Sequence, residues 1–169
     1  MTAVSSEEPV RERTYTWVDP KVYVEAAQGR SGLELFQYLL ETDTPPPPIS
    51  QTLGFRLVEV DKGLAVFAIE PAEHLFNPIG TVHGGVYATL LDSAAGCAVH
   101  TTLAAGINYT SLDLSVKFLR SMSPDGGEVR AIGTVTHSGR RTALAEAKMV
   151  DSKGRLLATA TSSCLILNP

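Results

Sequence analysis

The sequence predicts an α+β domain in which a six-stranded antiparallel sheet wraps around one long apolar helix. Segments in which apolar and polar residues alternate, as they do in half-buried strands, occur twice before and four times after a single helical stretch. That helix is predicted over residues 86–103, and the run from Gly84 to Leu103 carries one formal charge, on Asp92, so we expect the helix to be buried on nearly all sides. A sheet covers such a helix by curving around it.

The first 48 residues are predicted to form an N-terminal extension outside this domain. Residues 1–16 are polar and are expected to be a frayed tail. Between residues 20 and 41 apolar side chains recur with the helical period, and glycines near the middle divide this stretch into two short helices. Four prolines within residues 44–48 favour an extended, stiff strap. The main domain is therefore expected to span residues 49–169.

The six strands are predicted from alternation and from the turn residues between them. They span residues 55–60, 64–70, 110–119, 128–137, 141–150 and 155–167. Asp61-Lys62-Gly63 is a tight turn, which makes the first two strands a hairpin. A six-stranded sheet that covers one helix keeps two open edges, and open edges favour pairing with a second copy of the chain.

The composition argues against several classes of function. The net charge is −4 and the basic residues are scattered, so a nucleic-acid surface is not expected. No stretch reaches the ~20 apolar residues that a membrane span needs. Residues 1–13 lack the apolar segment of an export signal, and we therefore expect a cytoplasmic protein. Cys97 and Cys164 lie in apolar segments without metal-ligand spacing and are predicted to be buried, reduced thiols.

The start of the apolar helix is a candidate site. Gly84 and Gly85 are small enough for a ligand to approach closely, and the first amides of a helix have no internal partner. Such amides suit an anion or a carbonyl oxygen that acquires negative charge. Asp92 follows about two turns later. It shares one narrow face with Gly85, Thr89 and Gly96. Because an unpartnered carboxylate is costly on so apolar a helix, Asp92 is a candidate base or nucleophile.

The run Asn77-Pro78-x-Gly80-x-x-His83-Gly84-Gly85, followed by Asp92, resembles the signature of hotdog-fold acyl-CoA thioesterases of the phenylacetate-pathway (PaaI-like) type. The resemblance covers about residues 50–167, and the predicted order of strands and helix agrees with it. It implies hydrolysis of acyl-CoA to a free acid and coenzyme A. It implies no metal and no cofactor, since coenzyme A is part of the substrate.

The resemblance also implies a role for each residue of the motif. Asp92 corresponds to the catalytic carboxylate, either a general base on water or a nucleophile on the thioester carbon. The Gly84 amide corresponds to the group that polarises the thioester carbonyl. His83 is expected to hold the loop or to touch the thioester. Asn77 is expected to hydrogen-bond to the carbonyl or to the attacking water.

Five further residues are expected around the substrate. Ser111, at the start of the strand after the helix, matches a position that places water in some family members, and Thr110 is an alternative to it. Coenzyme A carries phosphates, so cationic side chains should line its path. Arg120 and the turn pair Arg140 and Arg141 are the candidates, because the resemblance places these segments near the pantetheine and nucleotide.

The resemblance implies an assembly as well. In this family the site lies at a dimer interface, where the loop of one subunit faces the aspartate of the other, and two such dimers make a tetramer. We therefore expect a homodimer that forms a dimer-of-dimers homotetramer. The N-terminal extension is expected to pack over the core or the dimer seam and to narrow the acyl pocket.

Two other functions stay open at the level of sequence. A hotdog enoyl-CoA hydratase uses a catalytic histidine nearer the Asn-Pro segment, and the glycine at position 80 counts against it. A non-catalytic acyl-CoA-binding or regulatory module would lose the carboxylate, and the presence of Asp92 counts against that function. The acyl group is open among aromatic, hydroxylated aromatic and medium-chain classes.

Overall fold

A computed structural model describes residues 10–168 as four α-helices, two 3-10 turns and six strands. The helices are α1 (Lys21–Ala27), α2 (Gly32–Glu41), α3 (Pro48–Leu53) and α4 (Gly84–His100), and the 3-10 turns are Glu73–Leu75 and Pro124–Gly126. The strands are β1 (Phe55–Asp61), β2 (Leu64–Ile69), β3 (Asn108–Phe118), β4 (Val129–Ser138), β5 (Thr142–Val150) and β6 (Leu156–Leu167). Within the described range no helix is both long enough and apolar enough to cross a membrane.

The six strands form one sheet in the order β1-β2-β4-β5-β6-β3, and every neighbouring pair is antiparallel. Helix α4 packs across this sheet and contacts all six strands. The predicted fold class, a sheet wrapped around one long apolar helix, is therefore confirmed. Strands β1 and β3 are the two edges of the sheet.

Helix α4 lies very close to the centre of the sheet because the facing residues are small. An added Cβ at Gly133 of β4 would lie 2.1 Å from the carbonyl oxygen of Ala94, so the helix backbone rests directly on this strand. On β5, Ala143, Ala145 and Ala147 point the same way and are buried. Only glycine and alanine leave room for such an approach.

The predicted burial of α4 holds over most of its surface. Its fully buried positions carry apolar side chains and are Leu90, Leu91, Ala94, Ala95, Ala98 and Val99. Asp92, Ser93 and Cys97 are partly exposed and mark the face that the sheet does not cover. Gly96 was expected to share a narrow face with Asp92, but Tyr109 covers it. The hydroxyl of Tyr109 would lie 2.6 Å from a Cβ at Gly96.

The N-terminal extension contains the two predicted helices, α1 and α2, and it is followed by a third helix, α3, that the sequence analysis missed. Residues 43–47 belong to no helix or strand and Pro47 is extended, in agreement with the predicted strap, but Pro48 begins α3. Proline is favoured at the first position of a helix, where its missing N–H would have no partner. The proline run therefore contains both an extended strap and a helix start.

Part of the predicted frayed tail is anchored. The guanidinium of Arg13 donates hydrogen bonds to the backbone carbonyls of Gln51 and Thr52, and Arg11 forms an ion pair with Glu73. Residues 1–9 lie outside the described part of the chain. The division of the chain between residues 48 and 49 stays a prediction.

Helix α2 docks on the end of α4. The Gly32 amide donates to the carbonyl of Leu103 at 3.0 Å, and an added Cβ at Gly32 would lie 1.8 Å from the His100 carbonyl oxygen. The ring of Phe36 meets the His100 ring edge-on, with centroids 5.4 Å apart. Helix α2 of the extension therefore packs in direct backbone contact with the C-terminal end of α4.

Substituting Gly133 with alanine should destabilise the domain, because the new methyl overlaps the backbone of α4 at Ala94. Overpacking of this kind costs about 1–3 kcal/mol or more. Urea unfolding measures the change in the free energy of unfolding. The matched control is Gly126→Ala, where the nearest neighbour of the added Cβ is a Ser123 Cβ at 3.9 Å. Equal midpoints for the two variants would contradict this close packing.

Candidate active site

Asp92 lies on the partly exposed face of α4, opposite the start of β3. The Ser111 hydroxyl donates a hydrogen bond to Oδ1 of Asp92 at 3.0 Å. The structure thus brings together two residues that the sequence analysis placed in one site. Thr110, the expected alternative, directly precedes Ser111 on the same extended strand, so its side chain points to the opposite face of the sheet.

Asp92 also lines an apolar cavity of about 330 Å³. One side of the cavity is formed by α4, β1, β2 and β3, which contribute Phe55, Arg56, Leu57, Phe67, Asp92, Ser93, Cys97 and Tyr109. The other side comes from the N-terminal extension and α3, which contribute Tyr23, Phe36, Leu39, Leu40, Thr44, Pro45, Pro46, Pro47, Ile49 and Ser50. Sequence analysis expected the N-terminal extension to pack over the core or the dimer seam and to narrow the acyl pocket, but it named neither Ser93 nor the individual residues of this second side. The apolar stripe of α2 predicted a buried face but not the cavity that it covers.

Cys97, which was predicted to be a buried, reduced thiol, lines the cavity together with Tyr109. Burial raises the pKa of Cys97 to about 12, although the hydrogen bond from Tyr109 lowers it in part. Burial also raises the pKa of Tyr109. Both groups are therefore neutral near pH 7, and Asp92 is the acidic side chain among the residues that line the cavity.

The other half of the motif lies at the start of α4. His83 caps the helix, because its Nδ1 accepts a hydrogen bond from the Gly85 amide at 2.9 Å, which leaves the ring proton on Nε2. This contact agrees with the expected loop-holding role of His83. Gly84 is the first helical residue, so its amide has no intrahelical acceptor. The Phe118 ring would lie 3.2 Å from a Cβ at Gly84, and a larger residue there would have to displace it.

Asn77 shapes the loop that leads into the helix. Its Oδ1 accepts hydrogen bonds from the amides of Ile79 and Thr81, both at 3.1 Å, and its Nδ2 donates to the Thr81 hydroxyl at 2.9 Å. These are the contacts of an asparagine that builds a turn. Within one chain Asn77 therefore positions the loop and does not reach Asp92 or its cavity.

One chain does not bring the two halves of the motif together. Gly84 and Asp92 are eight residues apart on one helix, which separates them by about 12 Å along its axis. Gly84 lines a shallow depression with Phe118 and Arg120, whereas Asp92 lines the apolar cavity. Groups that act on one carbonyl must lie within about 3 Å of its reacting atoms. The amide and the carboxylate of the same chain cannot do so.

Comparison with known proteins identifies the family. A family model described as the thioesterase superfamily matches residues 79–158. The 1,4-dihydroxy-2-naphthoyl-CoA hydrolase of Listeria monocytogenes serotype 1/2a is 30% identical over 109 residues, which are 64% of this chain and 87% of that protein. The chain belongs to the thioesterase superfamily.

Solved structures agree with this membership. A phenylacetic acid degradation-related protein of Ralstonia eutropha JMP134 is 29% identical, with a TM-score of 0.69 over 77% of this chain and 98% of that one. A Streptococcus mutans protein bound to acetyl-CoA is 25% identical, with a TM-score of 0.61 over 68% of this chain and 89% of that one. The resemblance to hotdog thioesterases of the phenylacetate type is confirmed.

In this thioesterase-superfamily chain the three candidate arginines for coenzyme A lie in two places. Arg120 is exposed beside Gly84, and its Nη1 donates to the Leu156 carbonyl at 2.7 Å. Arg140 and Arg141 are exposed in the turn between β4 and β5 and do not line the Asp92 cavity. A contact of these side chains with coenzyme A stays a prediction.

Iodoacetamide should alkylate Cys97 very slowly in the folded protein, because the thiolate is the reactive form. With a pKa of about 12, Cys97 holds about one ten-thousandth of its thiol as thiolate at pH 8, against roughly a quarter for an ordinary cysteine. Peptide mass spectrometry of timed samples measures the rate, and the urea-unfolded chain is the control. Equally fast labelling of folded and unfolded protein would make Cys97 a candidate nucleophile.

Proposed function

We propose that this chain hydrolyses acyl-CoA thioesters to a free acid and coenzyme A, with Asp92 as the catalytic carboxylate. The observation that carries the proposal is the placement of Asp92, the single formal charge on α4, at an apolar cavity where Ser111 holds one of its oxygens. Membership of the thioesterase superfamily and similarity to a naphthoyl-CoA hydrolase support it. The acetyl-CoA bound to a structural neighbour supports coenzyme A as the carrier.

The chemistry needs a carboxylate on one side of the thioester carbon and a hydrogen-bond donor at its oxygen. As a base, Asp92 takes a proton from water, the water oxygen adds to the carbon, and the C–S bond breaks to release the coenzyme A thiolate, which is then protonated. As a nucleophile, a carboxylate oxygen of Asp92 adds to the carbon, and the C–S bond breaks to release the coenzyme A thiolate, which is then protonated. Water then cleaves the acyl-enzyme anhydride to the free acid and regenerates the Asp92 carboxylate. In both cases Ser111 engages Oδ1, so Oδ2 is the reacting oxygen.

The Gly84 amide is the proposed donor to the thioester oxygen. It is a backbone group with no intrahelical partner, at the end of α4 where the helix dipole is positive. Such a donor stabilises the negative charge that develops on the carbonyl oxygen and needs no rearrangement to do so. His83 fixes this helix start through its bond to Gly85, and Asn77 fixes the loop before it.

The Asp92→Asn variant should keep the fold and lose turnover by about 100-fold or more, because the amide can neither take a proton nor attack. Release of free coenzyme A thiol from short, medium, long and aromatic acyl-CoAs measures the rate. The matched control is Asp113→Asn, which removes an exposed carboxylate from β3, two residues after Ser111. Turnover of this variant should stay within a few-fold of the wild type.

Two results would contradict the assignment. Near-full turnover by folded Asp92→Asn would remove the carboxylate from the mechanism. A folded wild-type protein that binds acyl-CoA but hydrolyses no ester of the panel would favour the acyl-CoA-binding module, with enoyl-CoA hydration as the next reaction to assay.

We also propose that the complete site forms between two copies of the chain. The separation of about 12 Å between Gly84 and Asp92 along α4 requires the amide from one copy and the carboxylate from the other. Strand β3 is an open edge of the sheet, and its Leu112 and Phe118 side chains are each 58% exposed. Open strand edges with exposed apolar side chains favour pairing. Two such dimers would make the expected homotetramer.

Complementation tests the shared site. Gly84→Pro removes the proposed donor, and the backbone tolerates proline here because His83 before it is extended, with φ −63° and ψ 138°. The exposed Phe118 ring has to move aside for the proline ring, so circular dichroism first establishes that this variant is folded. Gly84→Pro and Asp92→Asn should each be inactive alone. Randomly reassorted subunits should regain about a quarter of wild-type activity, since about half of the dimers are mixed and each holds one complete site.

The control is a mixture of two differently tagged Asp92→Asn proteins, which should stay inactive after the same treatment. Absence of recovery from a mixture shown to contain mixed dimers would contradict the shared site. An active wild-type monomer would contradict it as well.

A further inference from the structure

The N-terminal extension and α3 form more than half of the cavity that Asp92 lines, although the proposed chemistry needs none of their residues. The first carbon atoms of an acyl group held at Asp92 would enter this cavity. The side chains that the extension and α3 contribute to the lining include Phe36, Leu39 and Ile49. The extension and α3 therefore limit the length and width of the acyl group that the cavity can hold.

The extension is fixed in place at several points. The Gly32 amide binds the Leu103 carbonyl, and the absence of a side chain at Gly32 lets α2 rest on the end of α4. The hydroxyl of Tyr23 on α1 donates to the carbonyl of Pro45 in the strap, which ties the two sides of the extension together. Prolines in the strap restrict the backbone further. The side of the cavity that the extension forms is therefore held in a fixed position relative to α4.

The cavity lining is chemically selective. Asp92 and Arg56 are the charged residues among the side chains that line it, and Arg56 is already paired with Glu128. The remaining lining residues are apolar, aromatic or small and uncharged. An acyl group with its own carboxylate would meet the Asp92 charge without a free cation to balance it. An uncharged apolar acyl group fits this lining.

We propose that the segment from α1 to α3, residues 21–53, is the wall that sets acyl-group selectivity, and that it selects uncharged apolar acyl groups up to a defined length. This inference rests on the proposed function, since it takes the Asp92 cavity as the acyl site. Leu39 is the residue through which the limit can be moved, because it lines the cavity from α2 and is partly buried.

The test measures binding and not turnover, with a homologous series of S-alkyl-CoA thioethers that cannot be hydrolysed. Isothermal titration should show affinity rising about fourfold for each added methylene until the chain fills the cavity, and then no further gain. The chain length at which the gain in affinity stops is called the break. In Leu39→Ala the break should move to longer chains. In Leu39→Trp it should move to shorter ones.

The matched control is Leu33→Ala, which removes the same atoms from α2 at a position that does not line the cavity. Its break should coincide with that of the wild type. Circular dichroism and thermal unfolding establish that each variant is folded, and if Leu39→Ala is not, the opposite shift of Leu39→Trp decides. One unchanged break in the wild type and the folded Leu39 variants would overturn the proposal.

The outcome separates this inference from the proposed function. Hydrolysis that depends on Asp92, together with a break that does not move, would keep the thioesterase assignment and remove the wall. A break that moves in a protein without hydrolytic activity would keep the wall as part of an acyl-CoA-binding site and remove the catalytic role.

Discussion

The contact between the backbone of α4 and the sheet is the constraint on which the rest of the structure depends. Gly133 leaves no side chain between β4 and Ala94, and alanines on β5 continue the same shallow surface. The helix is therefore enclosed by strands over most of its circumference. A charged residue can be accommodated only where the sheet leaves the helix uncovered, and Asp92 stands on that remaining face.

The uncovered face of α4 is the place where the extension matters. Helix α2 and the proline strap line the same apolar cavity as Asp92 and Cys97. The cavity is thus lined by residues of α4, β1, β2 and β3 and by residues of the segment from α1 to α3. Reaction chemistry and acyl selectivity can then reside on different parts of the chain, which lets one change without disturbing the other.

The length of α4 sets a second constraint. A helix rises about 1.5 Å per residue, so the amide at its first residue and the carboxylate two turns later point into different spaces. The two groups would be complementary if a second copy of the helix ran alongside in the opposite direction. The open β3 edge offers a way for a second copy to approach. The same rigid helix that separates the groups in one chain would align them between two.

The sequence by itself determined the six strands, the helices other than α3, the fold class and the candidate motif. The single charge within residues 84–103 predicted a buried helix, the alternating strands predicted the sheet, and the spacing from His83 to Asp92 indicated the family. Each of these signals lies within a short stretch of chain. The predicted bounds of the strands differ from the observed ones by one or two residues.

The tertiary structure alone decided which side chains meet. Ser111 and not Thr110 is the hydrogen-bond partner of Asp92. Tyr109 packs against Gly96, and a helix begins at Pro48 within the proline run. The tertiary structure also brought Leu39 and Asp92 to the lining of one cavity. Residues so distant in sequence meet only through the packing of whole elements, and local periodicity carries no information on that packing.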